Sequence, residues 1–217
     1  LDSSTVSLEK IKVFFKQFKP LSLKKGAMII QSFEDAPEHV FFLEKGLVRM
    51  YCISPEGEQL TLHVFSPQSY FPVMISFTHG ANTHYFEAMT PVVLRRAPQQ
   101  RIMQLLSNQP DLLFSLTSRI FAALEGYATR IKQLVFKDSY QKTAAILGYL
   151  SEKFGEHKGN SYTLSPLFTH EHIASWAGMT RVSVSKAMGR LRKKGIIDYS
   201  GKSLVILDHL KVMQESK

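Results

Sequence analysis

The spacing of apolar and polar positions changes period several times along this chain. Leu8, Ile11, Phe14, Phe15 and Phe18 recur at helical spacing, and Pro20 ends that stripe. From Leu21 to about Ala97 short apolar runs replace it: 27–30, 39–43, 47–51, 60–65, 85–88 and 92–94, rich in β-branched and aromatic residues. Turn signals separate them at Glu44-Lys45-Gly46, Ser54-Pro55-Glu56-Gly57 and Ser66-Pro67-Gln68-Ser69. Many short strands at this spacing predict a β-roll or jelly roll. Pro98 to Leu106 reads as a short helix, broken by Asn108-Gln109-Pro110. The longest helical pattern follows, from Asp111 to Val135. Within it Thr117, Ile120, Leu124, Tyr127, Ile131 and Leu134 alternate by three and four, an a/d seam suited to pairing with a second copy or to packing on its own domain.

The last third returns to short helices. Asp138 reads as an N-cap for a helix from Ser139 to about Phe154, and GEHKGN (155–160) as a loop. Between Thr169 and Lys194 lie two helices joined by a tight turn. Ile173, Ala174 and Ala177 form the buried face of the first, and Gly178 stops it, because glycine enters the left-handed region at little steric cost. Thr180 caps the second helix, whose Val184, Ala187, Met188 and Leu191 face inward. The opposite face carries Arg181, Ser183, Ser185, Lys186 and Arg190, with Arg192, Lys193 and Lys194 at the end. No acidic residue lies between Arg181 and Lys194. Small hydroxyl residues among cations suit a helix lying against phosphates and base edges in a major groove. Residues 196–199 and 204–207 flank Ser200-Gly201-Lys202, a hairpin or wing whose Lys202 is placed to reach a phosphate. The fold class expected is α+β.

Charge sharpens this picture. The chain of 217 residues has a formal net charge of +9. Residues 137–217 hold 13 Lys and Arg against 7 Asp and Glu, whereas residues 1–136 hold 14 against 11. The excess sits with the helix pair and predicts a polyanion partner bound in a salt-sensitive way. One cysteine, Cys52, excludes an internal disulfide framework and any Cys-ligated zinc or iron–sulfur site within one chain. No apolar run approaches a membrane span, and the first residues lack the features of a signal peptide; the expectation is a cytoplasmic protein with no membrane partner.

The run HEHIASWAGMTRVSVSKAMGRLRKKGII (170–197), followed by SLVILDHL (203–210), resembles the winged helix-turn-helix of the Crp/Fnr family of bacterial transcription regulators. The matching features are Ile173-Ala174, Gly178, Thr180-Arg181, Val184-Ser185-Lys186, Leu191, Gly195-Ile196-Ile197 and the strand from Leu204 to Leu207. The resemblance implies three parts: a cyclic-nucleotide-binding-like sensor roll over 1–108, a long dimerisation helix and hinge over 109–137, and a winged helix-turn-helix over 138–217. It implies a homodimer paired through Thr117, Ile120, Leu124, Tyr127, Ile131 and Leu134, reading a pseudo-palindromic site on double-stranded DNA. The DNA contacts it implies are Thr169, His170, Thr180, Arg181, Val182, Ser183, Ser185, Lys186, Arg190 and Lys202. Many members have glutamate at the position of Val182. Valine cannot accept from cytosine but its methyls suit a thymine methyl, so a different half-site is expected.

The sensor departs from the family's ligand chemistry. Pro72 stands where a ribose-binding glutamate is expected, and Asn82-Thr83 where an Arg-Ser pair holds the cyclic phosphate. A cyclic phosphate without a cation partner is poorly held, so cAMP and cGMP are not expected. A pocket near Pro72, Asn82, Thr83, His84 and Tyr127 is left for a neutral or aromatic effector of unknown identity, or for none.

Other function classes fit less well. His79, His84 and Glu87 fall in one short region, and His170 and His172 are near neighbours, but neither has the His-x-His spacing on a strand that a metal-dependent cupin enzyme needs. No nucleophile triad, P-loop or Rossmann turn is present, so neither enzyme activity, a metal nor a cofactor is expected. RNA polymerase is a candidate partner through the resemblance. The competing class is a cyclic-nucleotide-type sensing module that regulates a protein partner, against which the basic C-terminal region argues.

Overall fold

The computed structural model describes residues 3–32, 38–73, 77 and 82–217. The chain forms two compact units, Leu1–Cys52 with Thr61–Glu125, and Gly126–Lys217 with Ile53–Leu60. Helix α1 (Ser3–Lys16) precedes eight strands: β1 (Pro20–Leu23), β2 (Met28–Ile30), β3 (His39–Lys45), β4 (Val48–Ile53), β5 (Gln59–Phe65), β6 (Tyr70–Phe71), β7 (Tyr85–Ala88) and β8 (Val92–Pro98). Helices α2 (Gln99–Asn108) and α3 (Pro110–Phe136) follow. The strands form two four-stranded sheets, ordered β1-β8-β3-β6 and β2-β7-β4-β5. The expected mixed fold with an N-terminal roll is the observed one. Strands β1 and β6 escape the hydrophobic pattern because β1 is mostly exposed and β6 is two residues long.

One strand explains how the first unit is built. In β3 the side chains alternate between two apolar cores, so both faces are covered and the sequence HVFFL reads as a continuous apolar run. Phe41 and Leu43 join Ile30, Val48, Phe71, Phe86, Val92 and Leu94 inside the roll. Val40 and Phe42 join Ile11 and Phe15 of α1, Ile102 and Leu106 of α2, and Leu112 and Leu116 of α3. The roll interior is a ladder of rings. Phe71 lies 4.7 Å from Phe65, 5.3 Å from Phe86 and 6.0 Å from Phe41, centroid to centroid. Arg95 of β8 ties the end of α1 and the residues after it to the sheet: its guanidinium donates to Glu44 at 2.6 Å, to the Lys16 carbonyl at 3.3 Å and to the Phe18 carbonyl at 2.5 Å. Between β3 and β4 the turn requires glycine. Gly46 has φ +88°, and a Cβ there would sit 2.3 Å from the Pro91 carbonyl oxygen.

The second unit is organised on helix α4 (Ser139–Phe154). Asp138 caps it in a reciprocal box: Gln141 N donates to Asp138 Oδ1 at 2.8 Å, and Asp138 N donates to Gln141 Oε1 at 3.1 Å. Around it stand β9 (Glu156–Lys158), β10 (Ser161–Leu164), α5 (His170–Ala177), α6 (Arg181–Lys193), β11 (Ile197–Ser200), β12 (Ser203–Ile206) and α7 (His209–Glu215). The four strands form one antiparallel sheet, β11-β12-β10-β9. Leu147, Leu150, Leu164, Ile173, Val184, Met188, Leu191 and Ile206 are buried in this unit's core. Helix α7 is not legible in the sequence as a separate element; it packs against α4, with Met213 Sδ over the bare Cα of Gly148. Among the described residues, no helix is long and apolar enough to cross a membrane.

Candidate nucleic-acid interface

Three local devices shape the helix pair. Thr169 Oγ1 accepts from His172 N at 3.3 Å and caps α5. Gly178 ends α5 in the left-handed region, at φ 57° and ψ 45°. Thr180 Oγ1 accepts from Ser183 N at 3.2 Å and caps α6. Val184, Ala187, Met188 and Leu191 are all buried, which turns Arg181, Val182, Ser185 and Lys186 outward. Val182 is 63 % exposed, so its methyls are open to solvent on the same face as Arg181 and Lys186. Lys202 sits in the exposed turn between β11 and β12.

The cations on this surface divide into two groups. At the end of α6, Arg190, Arg192 and Lys194 have partners within the unit. Arg190 lies over the Tyr140 ring at 4.2 Å, Arg192 pairs with Asp198 at 2.9 Å, and Lys194 pairs with Glu215 at 2.7 Å. The lysine holds the Glu215 carboxyl below its ordinary range, helped by the Tyr140 hydroxyl. Arg181, Lys186 and Lys202 take part in none of the unit's ion pairs among the described residues. Their charges are therefore available to an anion, while the Arg190 guanidinium is engaged with an aromatic face.

His170 is placed differently from a simple phosphate ligand. Its Nδ1 lies 2.9 Å from Ser185 Oγ, and its Nε2 lies 2.8 Å from the Tyr199 hydroxyl. Burial, with the Arg181 charge beside it, pushes the imidazole below its ordinary pKa. Tyr199 is the residue of this surface that sequence reasoning misses. No local signal joins residue 170 to residue 199, because the fold alone brings β11 beside α5.

On α3 the exposed large apolar positions are Leu113, Phe114, Ile120, Phe121, Leu124, Ile131, Val135 and Phe136, with Thr117 and Ala128 exposed between them. Tyr127 and Leu134 are half-buried instead. Tyr127 belongs to the second unit, where burial raises its hydroxyl pKa. Past Leu124 the exposed stripe keeps Ile131 of the expected seam and adds Ala128 and Val135 beside the half-buried Tyr127 and Leu134.

The sensor residues are not equally available. Asn82 is fully buried, and its amide is spent within the chain. Its Nδ2 donates to the carbonyls of Gln31 and His84, both at 2.6 Å, and its Oδ1 accepts from His84 N at 3.1 Å. Pro72 is buried, Thr83 is exposed and His84 is half-buried with a pKa lowered by that burial. Residues 74–76 and 78–81 of this segment, His79 among them, lie outside the described residues. Among the residues described, no group of three or more His, Cys, Asp or Glu is placed to hold a metal ion.

Comparison with known proteins accounts for both units. Residues 20–109 match the family model of the cyclic nucleotide-binding domain, and residues 141–214 match that of the Crp-like helix-turn-helix domain. The global nitrogen regulator of Nostoc sp. is 28% identical over 79% of this chain and 78% of its own. The transcriptional regulator SdrP of Thermus thermophilus is 29% identical over 91% of this chain and 95% of its own. The crystal structure of a CRP/FNR-family transcriptional regulator, also from Thermus thermophilus, superposes with a TM-score of 0.74 at 25% identity, covering 91% of this chain and 98% of that one. With a nucleotide-binding-type roll and a Crp-like helix-turn-helix in this order on one chain, the protein belongs to the Crp/Fnr family of DNA-binding transcription regulators.

Proposed function

We propose that the protein works as a homodimer that reads a pseudo-palindromic DNA site with two copies of α6 about one helical turn apart. The observation that carries this reading is the acid-free outward face of α6, where Arg181 and Lys186 stand beside Ser185 and Val182, outside every ion pair among the described residues. In this reading residues 1–108 are the sensor, 109–137 the dimer helix and hinge, and 138–217 the DNA reader. Thr169 and Thr180 present helix N-termini to phosphate; Arg181, Lys186 and Lys202 neutralise phosphates or reach guanine. Ser183 and Ser185 supply hydroxyls, and Val182 packs on a thymine methyl. Arg190 supports Tyr140 and the start of α4. The exposed stripe of α3 is the two-fold contact. The protein is a cytoplasmic regulator without enzymatic activity, and RNA polymerase is its partner at promoters.

Selection from random-sequence DNA followed by a salt series tests this. Arg181→Ala and Lys186→Ala are each expected to weaken binding and to reduce the slope of log affinity against log salt by about one. Wild-type affinity for every selected duplex, retained in both variants with an unchanged slope, overturns the assignment of α6.

The effector is not a cyclic nucleotide in this reading. The roll interior is filled by Phe41, Phe65, Phe71 and Phe86, and Asn82 offers no cation to a phosphate. Addition of cAMP is expected to leave the thermal midpoint unchanged. A ligand that binds the native state alone stabilises it by about 2.7 kcal/mol at a hundredfold excess over Kd, which raises the midpoint. A clear upward shift overturns this part.

A further inference from the structure

The three-way contact of His170, Ser185 and Tyr199 joins one helix of the pair, the recognition helix and the wing strand. We infer that His170 is a positioning residue of the DNA-reading surface: it fixes where the Ser185 and Tyr199 hydroxyl protons point and couples DNA affinity to pH. The inference rests on the reading that this surface binds DNA.

The chemistry follows from the imidazole. A neutral ring has one N–H donor and one acceptor nitrogen. It therefore donates to one of its two hydroxyl partners and accepts from the other. Only the hydroxyl that accepts from the ring keeps its own proton free for an outside acceptor. When the ring takes a proton from solvent, both nitrogens donate and both hydroxyls accept. The Ser185 and Tyr199 protons then both turn outward, toward phosphate oxygens or base acceptors. The added positive charge stands beside Arg181 on the same surface.

The groups packed around the ring set the sign. Arg181 and Ser185 approach from α6, and Tyr199 from β11, with the Arg192–Asp198 pair next to its ring. Glu171 and His172 are its neighbours on α5, and His172 Nδ1 lies 3.1 Å from Thr169 Oγ1. In the free protein burial and Arg181 disfavour the protonated ring. A phosphate on Arg181 cancels that repulsion, so binding takes up a proton and affinity rises as pH falls.

The probe is a fluorescein-labelled duplex about 30 base pairs long, selected by the wild-type protein and long enough for two half-sites one turn apart. Its dissociation constant is measured from about pH 8 to about pH 6, across the histidine range. Wild-type binding is expected to tighten about three- to tenfold more than that of His170→Gln, which keeps a donor and an acceptor but does not titrate. Tyr199→Phe keeps the titration and loses one outward donor, so an intermediate slope is expected. Equal slopes in wild type and His170→Gln overturn the role of His170. Should His170→Gln fail to fold, the ring resonances of His170 in the wild type decide. An upward move of their titration midpoint on adding the duplex supports the inference, and an unmoved midpoint overturns it. Failure of the wild-type protein to bind any duplex at any pH overturns the DNA reading itself, a result distinct from equal slopes.

Discussion

Replacing Leu124 and Ile131 together by glutamate is expected to convert the protein to a monomer and to lower its DNA affinity by about a hundredfold or more. Both side chains are 61 % exposed, so the substitution removes little from the protomer itself. In a two-fold pairing of α3 each change counts twice. Four aliphatic side chains lose their burial, each worth roughly 1.5–3 kcal/mol, and four carboxylates face one another. A monomer also loses the linkage between two half-sites, which is worth two or more orders of magnitude in affinity. Analytical ultracentrifugation and binding to the selected duplex check this. An unchanged dimer sinks the assignment of this stripe and leaves the helix pair intact as a reader.

The second large effect lies inside the roll. Phe71→Ala is expected to destabilise the first unit by about 3–5 kcal/mol, the range for removing a large aromatic from a packed core. Phe71 is 1 % exposed and is a ring neighbour of Phe41, Phe65 and Phe86. Val13→Ala, at a position 61 % exposed, is expected to change stability by less than about 0.5 kcal/mol. Urea unfolding followed by circular dichroism separates the two. A Phe71→Ala protein whose stability lies within about 1 kcal/mol of wild type shows that the roll interior can collapse, contrary to the close packing argued for it.

The helix pair is legible in the sequence because its signals are local. Gly178, Thr180 and the 184-187-188-191 spacing each act within a turn or two of helix, and each appears as expected. The start of α4 is legible for the same reason, since Asp138 and Gln141 complete a cap three residues apart. What spacing does not give is how exposed each apolar residue of α3 is in the single chain. Tyr127 and Leu134 fit a heptad as well as Ala128 and Val135 do, yet the first two are half-buried and the second two exposed. Arg190 and His170 teach the same lesson for charge. Arg190 reads as a DNA ligand from its place on the basic face and His170 from its place at a helix start, while Tyr140 and Tyr199, far away in sequence, engage them in the fold. The effector segment is the least legible. Asn82 reads as a lost phosphate ligand and is in fact a peg that ties residue 31 to residue 84.

The first turn of α6 has no acidic residue, and Arg181 stands at its start. Backbone dipoles make that end of a helix positive, so a cation there is mismatched by about 0.3–1 kcal/mol. The same helix puts Arg190, Arg192 and Lys193 in its last turn, where the dipole welcomes them. The free protein thus holds one end of its reading helix in electrostatic frustration, uncompensated until a phosphate arrives. Part of the energy of recognition is then relief of a tension built into the unbound state, and a sequence optimised for stability alone would have no reason to keep it.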